Sequence, residues 1–123
     1  MELKSSQQTE KLDRSALLER VEGDQQLLTE MIHLFLEDAP RQLAAMQDAL
    51  QRGDAAALGR AAHSLKGAAS NLSAHVTVAA ALELEKSARN GDMESSKVCL
   101  VKVQAAVQQL LPALTELCQG VSK

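Results

Sequence analysis

The stretch from Asp54 to Leu72, DAAALGRAAHSLKGAASNL, constrains the fold more than any other part of the chain. Wound as a helix at about 100° per residue, it gathers Leu58, Ala61, Ala62, Leu65, Ala68, Ala69 and Leu72 into one arc roughly 120° wide. An arc of that width is a core-facing stripe, so the stretch predicts an amphipathic helix packed against others. The opposite arc holds Gly59, Arg60, His63, Lys66, Gly67 and Ser70, with His63 near its middle. The histidine is therefore expected to face outward.

Glycine inside a helix costs about 1 kcal/mol relative to alanine, so Gly59 and Gly67 do not serve helix stability. They stand one turn before and one turn after His63, where they strip side-chain bulk from its surroundings. Another molecule's backbone could come close there. With Arg60 and Lys66 on the same face, the pattern reads as an exposed nucleophile prepared for an incoming anion.

A length of 123 residues suits one domain, and a hydrophobic content of 46% supports a real core. Aromatic residues are nearly absent, with Phe35 alone and neither Trp nor Tyr, while good helix formers dominate. The net charge of −3 leaves no basic stripe for phosphates, and there are no aromatics to stack bases, so nucleic acid is not an expected partner. No apolar run approaches the roughly 20 residues of a membrane span, and the start MELKSSQQTEK lacks the apolar stretch of a secretory signal. A soluble, cytoplasmic protein without membrane contact is the expectation. Cys99 and Cys118 have no CxxC spacing and read as reduced core thiols.

Along the chain, residues 1–10 are polar and aperiodic, which predicts a flexible segment ahead of a domain over 11–120. Asp13 can cap a short helix to about Glu22, with Leu17, Leu18 and Val21 turned inward and Gly23 suited to its C-terminal cap. Asp24 caps a second helix to about Glu37, whose Leu27, Leu28, Met31, Ile32, Leu34 and Phe35 form an arc broad enough to need cover on more than one side. His33 falls on its polar arc and reads as a solvated surface histidine. Pro40 breaks the pattern and predicts a separate third helix from Ala39 to Arg52, burying Leu43, Met46 and Leu50 and ending at Gly53. After the motif helix come one over His75–Arg89, a turn at Asn90-Gly91-Asp92, and a last helix to about Gln119 that Pro112 should kink or split near Gln108. Short connections make successive helices antiparallel neighbours. The expected fold is all-α: an up-down-up-down antiparallel four-helix bundle with one or two additional short N-terminal helices.

The residues His63-Ser64-Leu65-Lys66-Gly67 resemble the H-x-L-K-G signature of histidine-containing phosphotransfer (HPt) domains, the four-helix phosphocarriers of phosphorelays. Ala62, Ser70-Asn71-Leu72-Ser73-Ala74, Leu84-Glu85 and Arg89-Asn90-Gly91-Asp92 also look like the family pattern, and the likeness extends roughly from Leu12 to Leu117. Ser73 departs from it, because glycine is common at that point. The resemblance implies that His63 accepts a phosphoryl group from a phospho-aspartate on one receiver domain and passes it to another. Receivers of response regulators or of hybrid sensor kinases are the implied partners, each supplying its own Mg2+ and acidic pocket, while this chain acts as a monomer with no cofactor or metal of its own.

The residues fit that chemistry. A free imidazole has a reference pKa near 6.5, so near neutral pH it keeps a nitrogen lone pair for attack. Lys66 can offer a mobile ammonium to the phosphoryl oxygens, Arg60 long-range attraction, and Ser70 a hydrogen bond on the same face. Glu85 is read as structural, holding a helix contact. Partner choice is nominated to residues near Asp38 to Gln42. There is no G-x-x-x-x-G-K-[ST] loop, glycine-rich lid or acidic magnesium cluster, so no self-phosphorylation from ATP is expected. Two other classes compete. A purely adhesive helical adaptor would share the fold but has no use for His63 and Lys66 together. A metal-binding bundle fails on spacing, since His33, His63 and His75 form no i, i+4 pair and no inward Glu-x-x-His set.

Overall fold

The computed structural model describes residues 12–122, with side chains described through Cys118. The expected flexible segment over residues 1–10 lies outside the described residues. Five helices follow one another: α1 (Arg14–Arg20), α2 (Gln25–Arg52), α3 (Ala55–Asn71), α4 (His75–Arg89) and α5 (Met93–Ser122). Helices α2 to α5 each pack against two neighbours, closing the ring α2–α3–α4–α5 of a four-helix bundle, and α1 leans on α2.

Each connection is short because the sequence stops one helix and caps the next within a few residues. Asp13, Asp24, Asp54 and Asp92 accept hydrogen bonds from the amides of Ala16, Leu27, Ala57 and Ser95 at 3.0–3.1 Å. Each thereby satisfies an amide that a helix start leaves orphaned. The α3–α4 turn needs a left-handed residue, and Ser73 takes it at φ 55°, which explains why glycine suits that point. The α4–α5 corner is tied from inside: the Ser87 and Ser96 hydroxyls both donate to the Asp92 carbonyl, at 3.1 and 2.8 Å. That corner fixes where the end of α4 lies.

The core is aliphatic and fine-grained. Leu58, Ala61, Ala62, Leu65, Ala69 and Leu72 are buried as the α3 stripe requires, with Ala68 half-buried. Facing them are Leu28, Ile32, Phe35 and Met46 of α2, Ala81 and Leu84 of α4, and Val103, Val107, Leu110 and Leu114 of α5. The abundance of alanine lets α3 and α4 approach closely.

Four expectations need correction. The helices expected over Asp24–Glu37 and Ala39–Arg52 are one helix, with Pro40 in its interior. Pro40 is exposed while Phe35, Ala39 and Met46 on the other side are buried, so packing on both sides of the proline outweighs one lost backbone bond. Helix α5 likewise runs through Pro112 without splitting. The broad α2 arc is covered on one side only: Leu28, Ile32 and Phe35 are buried, whereas Leu27 and Leu34 are exposed, and farther on Leu43 and Leu50 are only half-buried. Finally, Met93–Cys118 is long and apolar enough, at a mean hydropathy of 1.3, to pass for a membrane span. Glu94, Lys97, Lys102, Gln104, Gln108, Gln109 and Glu116 interrupt its apolar residues, which is why a search for unbroken apolar runs misses it. Its inner face is part of the bundle core.

Neither cysteine is in a disulfide. Cys99 is buried, and half-buried Cys118 places Sγ 3.5 Å from Nε2 of exposed His33.

Substituting Pro40→Ala should restore the missing backbone bond and raise stability by about 1–3 kcal/mol in urea unfolding. A lowered midpoint would show that the helix requires its proline.

Candidate functional site

On α3 the buried stripe fixes the outer face, and His63 emerges on it with its side chain 66% exposed. The ring is nonetheless not free to turn. Its Nδ1 lies 2.9 Å from Oε2 of Glu85, which reaches across from α4 and is only 3% exposed. Glu85 sits beside buried Leu84 and Ala81 on the inner edge of α4, so its carboxylate is held under the surface while the imidazole it contacts stays outside. Lys66 donates from Nζ to Oε1 at 2.8 Å, and Arg89, one turn on along α4, donates from Nη2 to Oε2 at 2.7 Å. One carboxylate therefore gathers three basic side chains from two helices.

The electrostatics set the proton positions. The hydrogen bond from the Lys66 ammonium, aided by that from His63, holds the Glu85 carboxyl below the ordinary carboxylate range against the opposing effect of burial. Glu85 is thus ionised near neutral pH and can only accept. The bond at 2.9 Å requires Nδ1 of His63 to carry the hydrogen, which leaves the Nε2 lone pair directed away from the carboxylate.

A groove of about 780 Å³ opens along the α3–α4 seam on the side of His63 nearer the start of α3. Its floor is made of small residues, Ala55, Ala56 and Gly59 of α3 with Ala88 of α4, and it reaches Gly91 in the α4–α5 turn. Arg60 and Arg89 border it, and His63 with Glu85 closes one end.

The structure distributes the sequence-selected residues unevenly. His63 and Lys66 are brought together through Glu85. The Lys66 ammonium is anchored to that carboxylate and its side chain is 26% exposed, so it is less mobile than the sequence suggests. Gly59 and Arg60 border the groove. Gly67 has open space where a Cβ would project, and Ser70 is exposed; both lie on the other side of His63 along α3. Glu85 does hold a helix contact, but it is also the hub of the cluster, and Arg89, named only within the family pattern, carried no role of its own. The signal available was a Glu–Arg pair at i, i+4 beginning next to a buried leucine, a place where a charge needs partners. Among the described residues no three His, Cys, Asp or Glu side chains come together as metal ligands do.

A helical bundle that fixes the ring of an exposed histidine from beneath is the kind of scaffold that carries a group on a side chain. The chain matches the Hpt domain family over residues 30–119, and it belongs to that family. Among solved structures it is similar to histidine-containing phosphotransfer protein B (HptB) from Pseudomonas aeruginosa PAO1, with a TM-score of 0.81 and 29% identity over 88% of this chain and 94% of that one. It is also similar in fold to the HPT domain of an Hpt sensor hybrid histidine kinase from Shewanella, with a TM-score of 0.78 and 19% identity over 91% of this chain and 97% of that one. No curated protein matches the sequence. Family membership gives the chain a phosphotransfer role in two-component signalling, in which Hpt domains are phosphocarriers that interact with receiver domains.

The buried carboxylate gives a pH test. An unfolded glutamate titrates near pH 4.3, and the native one lower, so between the two values the unfolded chain binds more protons and stability rises with pH. The contribution is complete above the unfolded value and disappears as pH falls through the native one. Glu85→Gln should cost about 1–3 kcal/mol at pH 7 and flatten the loss of stability below about pH 4. Urea titrations at pH 3 to 7 measure both effects, and an acid limb as steep as that of the wild type would rule out Glu85 as its source.

Proposed function

We propose that His63 is the phosphoacceptor, taking a phosphoryl group from a receiver phospho-aspartate and delivering it to the aspartate of another receiver. The observation that carries this reading is the Nδ1–Glu85 bond of 2.9 Å beneath an imidazole that is otherwise exposed. It supports Nε2 as the attacking atom. The Nε2 lone pair forms a bond to phosphorus as the bond from phosphorus to the aspartyl oxygen breaks, and the carboxylate departs with that electron pair. The proton on Nδ1 stays in place, so the ring becomes cationic during transfer, and ionised Glu85 lies opposite the new charge. Attack by an acceptor aspartate on the same phosphorus runs these steps in reverse and regenerates the neutral imidazole.

Lys66 keeps Glu85 ionised and retains further N–H bonds for the phosphoryl oxygens. Gly67 presents open space beside the nucleophile, so a partner can approach His63 without meeting a side chain. Arg60, Gly59 and Ser70 belong on the docking face. Mg2+ is assigned to the receiver's own acidic pocket, and neither ATP chemistry nor a resident metal is assigned to this chain. The protein acts as a cytoplasmic monomer between its partners.

The experiment is transfer from phosphorylated receiver domains of the source organism to the wild type and to His63→Gln. Acid-labile, alkali-stable label is expected on the wild type and none on the variant. Label that persists on His63→Gln would place the acceptor elsewhere, and no label on the wild type from any receiver would favour the adaptor reading.

A further inference from the structure

The groove on the α3–α4 seam has room for more than a phosphoryl group. Its volume of about 780 Å³ falls within the range of roughly 300–1,000 Å³ that small-molecule sites occupy. Ala55, Ala56, Gly59 and Ala88 give it a floor of small residues that ends at His63. Packing does not require the glycine: a Cβ on Gly59 would stand 3.7 Å from Cβ of Ala88, an ordinary contact. Its effect is to keep the floor low one turn before the nucleophile.

Positive charge gathers at the His63 end. Arg89 shares Oε2 of Glu85 with the ring, Lys66 holds Oε1, and exposed Arg60 stands three positions before the histidine on α3. These cations outnumber the one carboxylate among them, on a chain whose net charge is −3. Among the residues lining the groove Glu85 alone is acidic, and it is buried. An occupant therefore meets guanidinium groups beside the nucleophile and small aliphatic surface farther along.

We infer that this groove binds small acyl phosphates and that His63 takes a phosphoryl group from them directly, without a partner protein. The inference rests on His63 being the phosphoacceptor and adds a second class of donor. The two ends of the ligand are selected separately. A phosphoryl anion suits the arginines beside the ring, and a short acyl chain suits a floor of alanine and glycine that offers no polar side chain. In the transfer the Nε2 lone pair forms a bond to phosphorus as the bond from phosphorus to the acyl oxygen breaks, and the carboxylate leaves with that electron pair. The proton on Nδ1 stays against Glu85, and the arginines offer N–H groups to the phosphoryl oxygens.

Arg60 is the discriminating site, because it borders the groove, is exposed and takes no part in the contacts that hold Glu85. The experiment follows phosphorylation by intact mass spectrometry over a range of acetyl phosphate and butyryl phosphate concentrations. It compares the wild type, Arg60→Lys and Arg60→Glu, with His63→Gln as the blank. Saturable labelling is expected, with a KM about fivefold lower for the butyryl donor because its two further methylenes lie on the floor. Arg60→Glu should raise KM for both donors about tenfold, and Arg60→Lys should stay within about threefold of the wild type, since charge attracts the anion. Diethyl pyrocarbonate, an uncharged reagent for imidazoles, should modify His63 at the same rate in all three proteins, read by peptide mass spectrometry. Labelling that rises linearly with donor, a KM indifferent to the acyl chain, or a KM of Arg60→Glu equal to that of the wild type would overturn the inference. Slowing of Arg60→Glu toward diethyl pyrocarbonate as large as its slowing toward the donors would do the same, because it would place the defect in the imidazole. No label from either acyl phosphate on a protein that a phosphorylated receiver does label would sink this inference alone. No label from any donor would sink the transfer reading with it.

Discussion

The site depends on a single buried carboxylate. Glu85 is withdrawn from water, and a charge in that position is tolerable only if its oxygens are occupied. Oε1 is met by Lys66, and Oε2 is shared between His63 and Arg89. The partners come from both α3 and α4, so the carboxylate can be satisfied only when these helices pack in one register. A leucine at the same place would suit the core as well or better, since buried ion pairs rarely improve stability over apolar packing. What an apolar residue could not do is hold the hydrogen on Nδ1 of an exposed ring.

The small residues of the seam follow from the same constraint. Glu85 must reach a histidine on the outer face of a neighbouring helix, which requires the two backbones to lie close together. Small residues face each other across the seam, Gly59 on α3 and Ala88 on α4, and the motif stripe is built mostly from alanine rather than leucine. The near absence of aromatic residues, puzzling as composition alone, becomes intelligible as a need for thin interfaces. The thinness also leaves the groove, because small side chains on both walls do not fill the space above the seam.

Much of this was legible in the sequence, and the rest was hidden for specific reasons. The α3 stripe, its outward histidine and the aspartate caps are local patterns, and local patterns survive folding when every level agrees with them. Pro40 was misread because the helix-breaking rule is also local: it prices one hydrogen bond and one clash, whereas the buried residues on either side of the proline decide the outcome. Glu85 could be read as a structural helix contact but not placed opposite His63, because it lies 22 positions farther along and past a turn, and its register across the seam is a tertiary fact. Lys66 was expected as a mobile cation for the same reason, since the acceptor that anchors it lies on another helix. Arg89 carried no role of its own because an exposed arginine at a helix end looks ordinary until the carboxylate beside it is known to be buried.

A phosphocarrier faces two opposing demands on its nucleophile. The imidazole must be accessible enough for a partner's pocket to close over it, yet its tautomer must be fixed, or the lone pair will not be held toward phosphorus. An exposed residue cannot be fixed by exposed neighbours, whose hydrogen bonds exchange with water at little cost. In this chain the restraint lies under the surface, so that only the ring itself projects. Burial of Glu85, not proximity of any surface cation, therefore makes an accessible histidine chemically defined. The same division frees the surrounding surface: with the anchor beneath the ring, side chains around His63 can vary in charge and size without disturbing the imidazole.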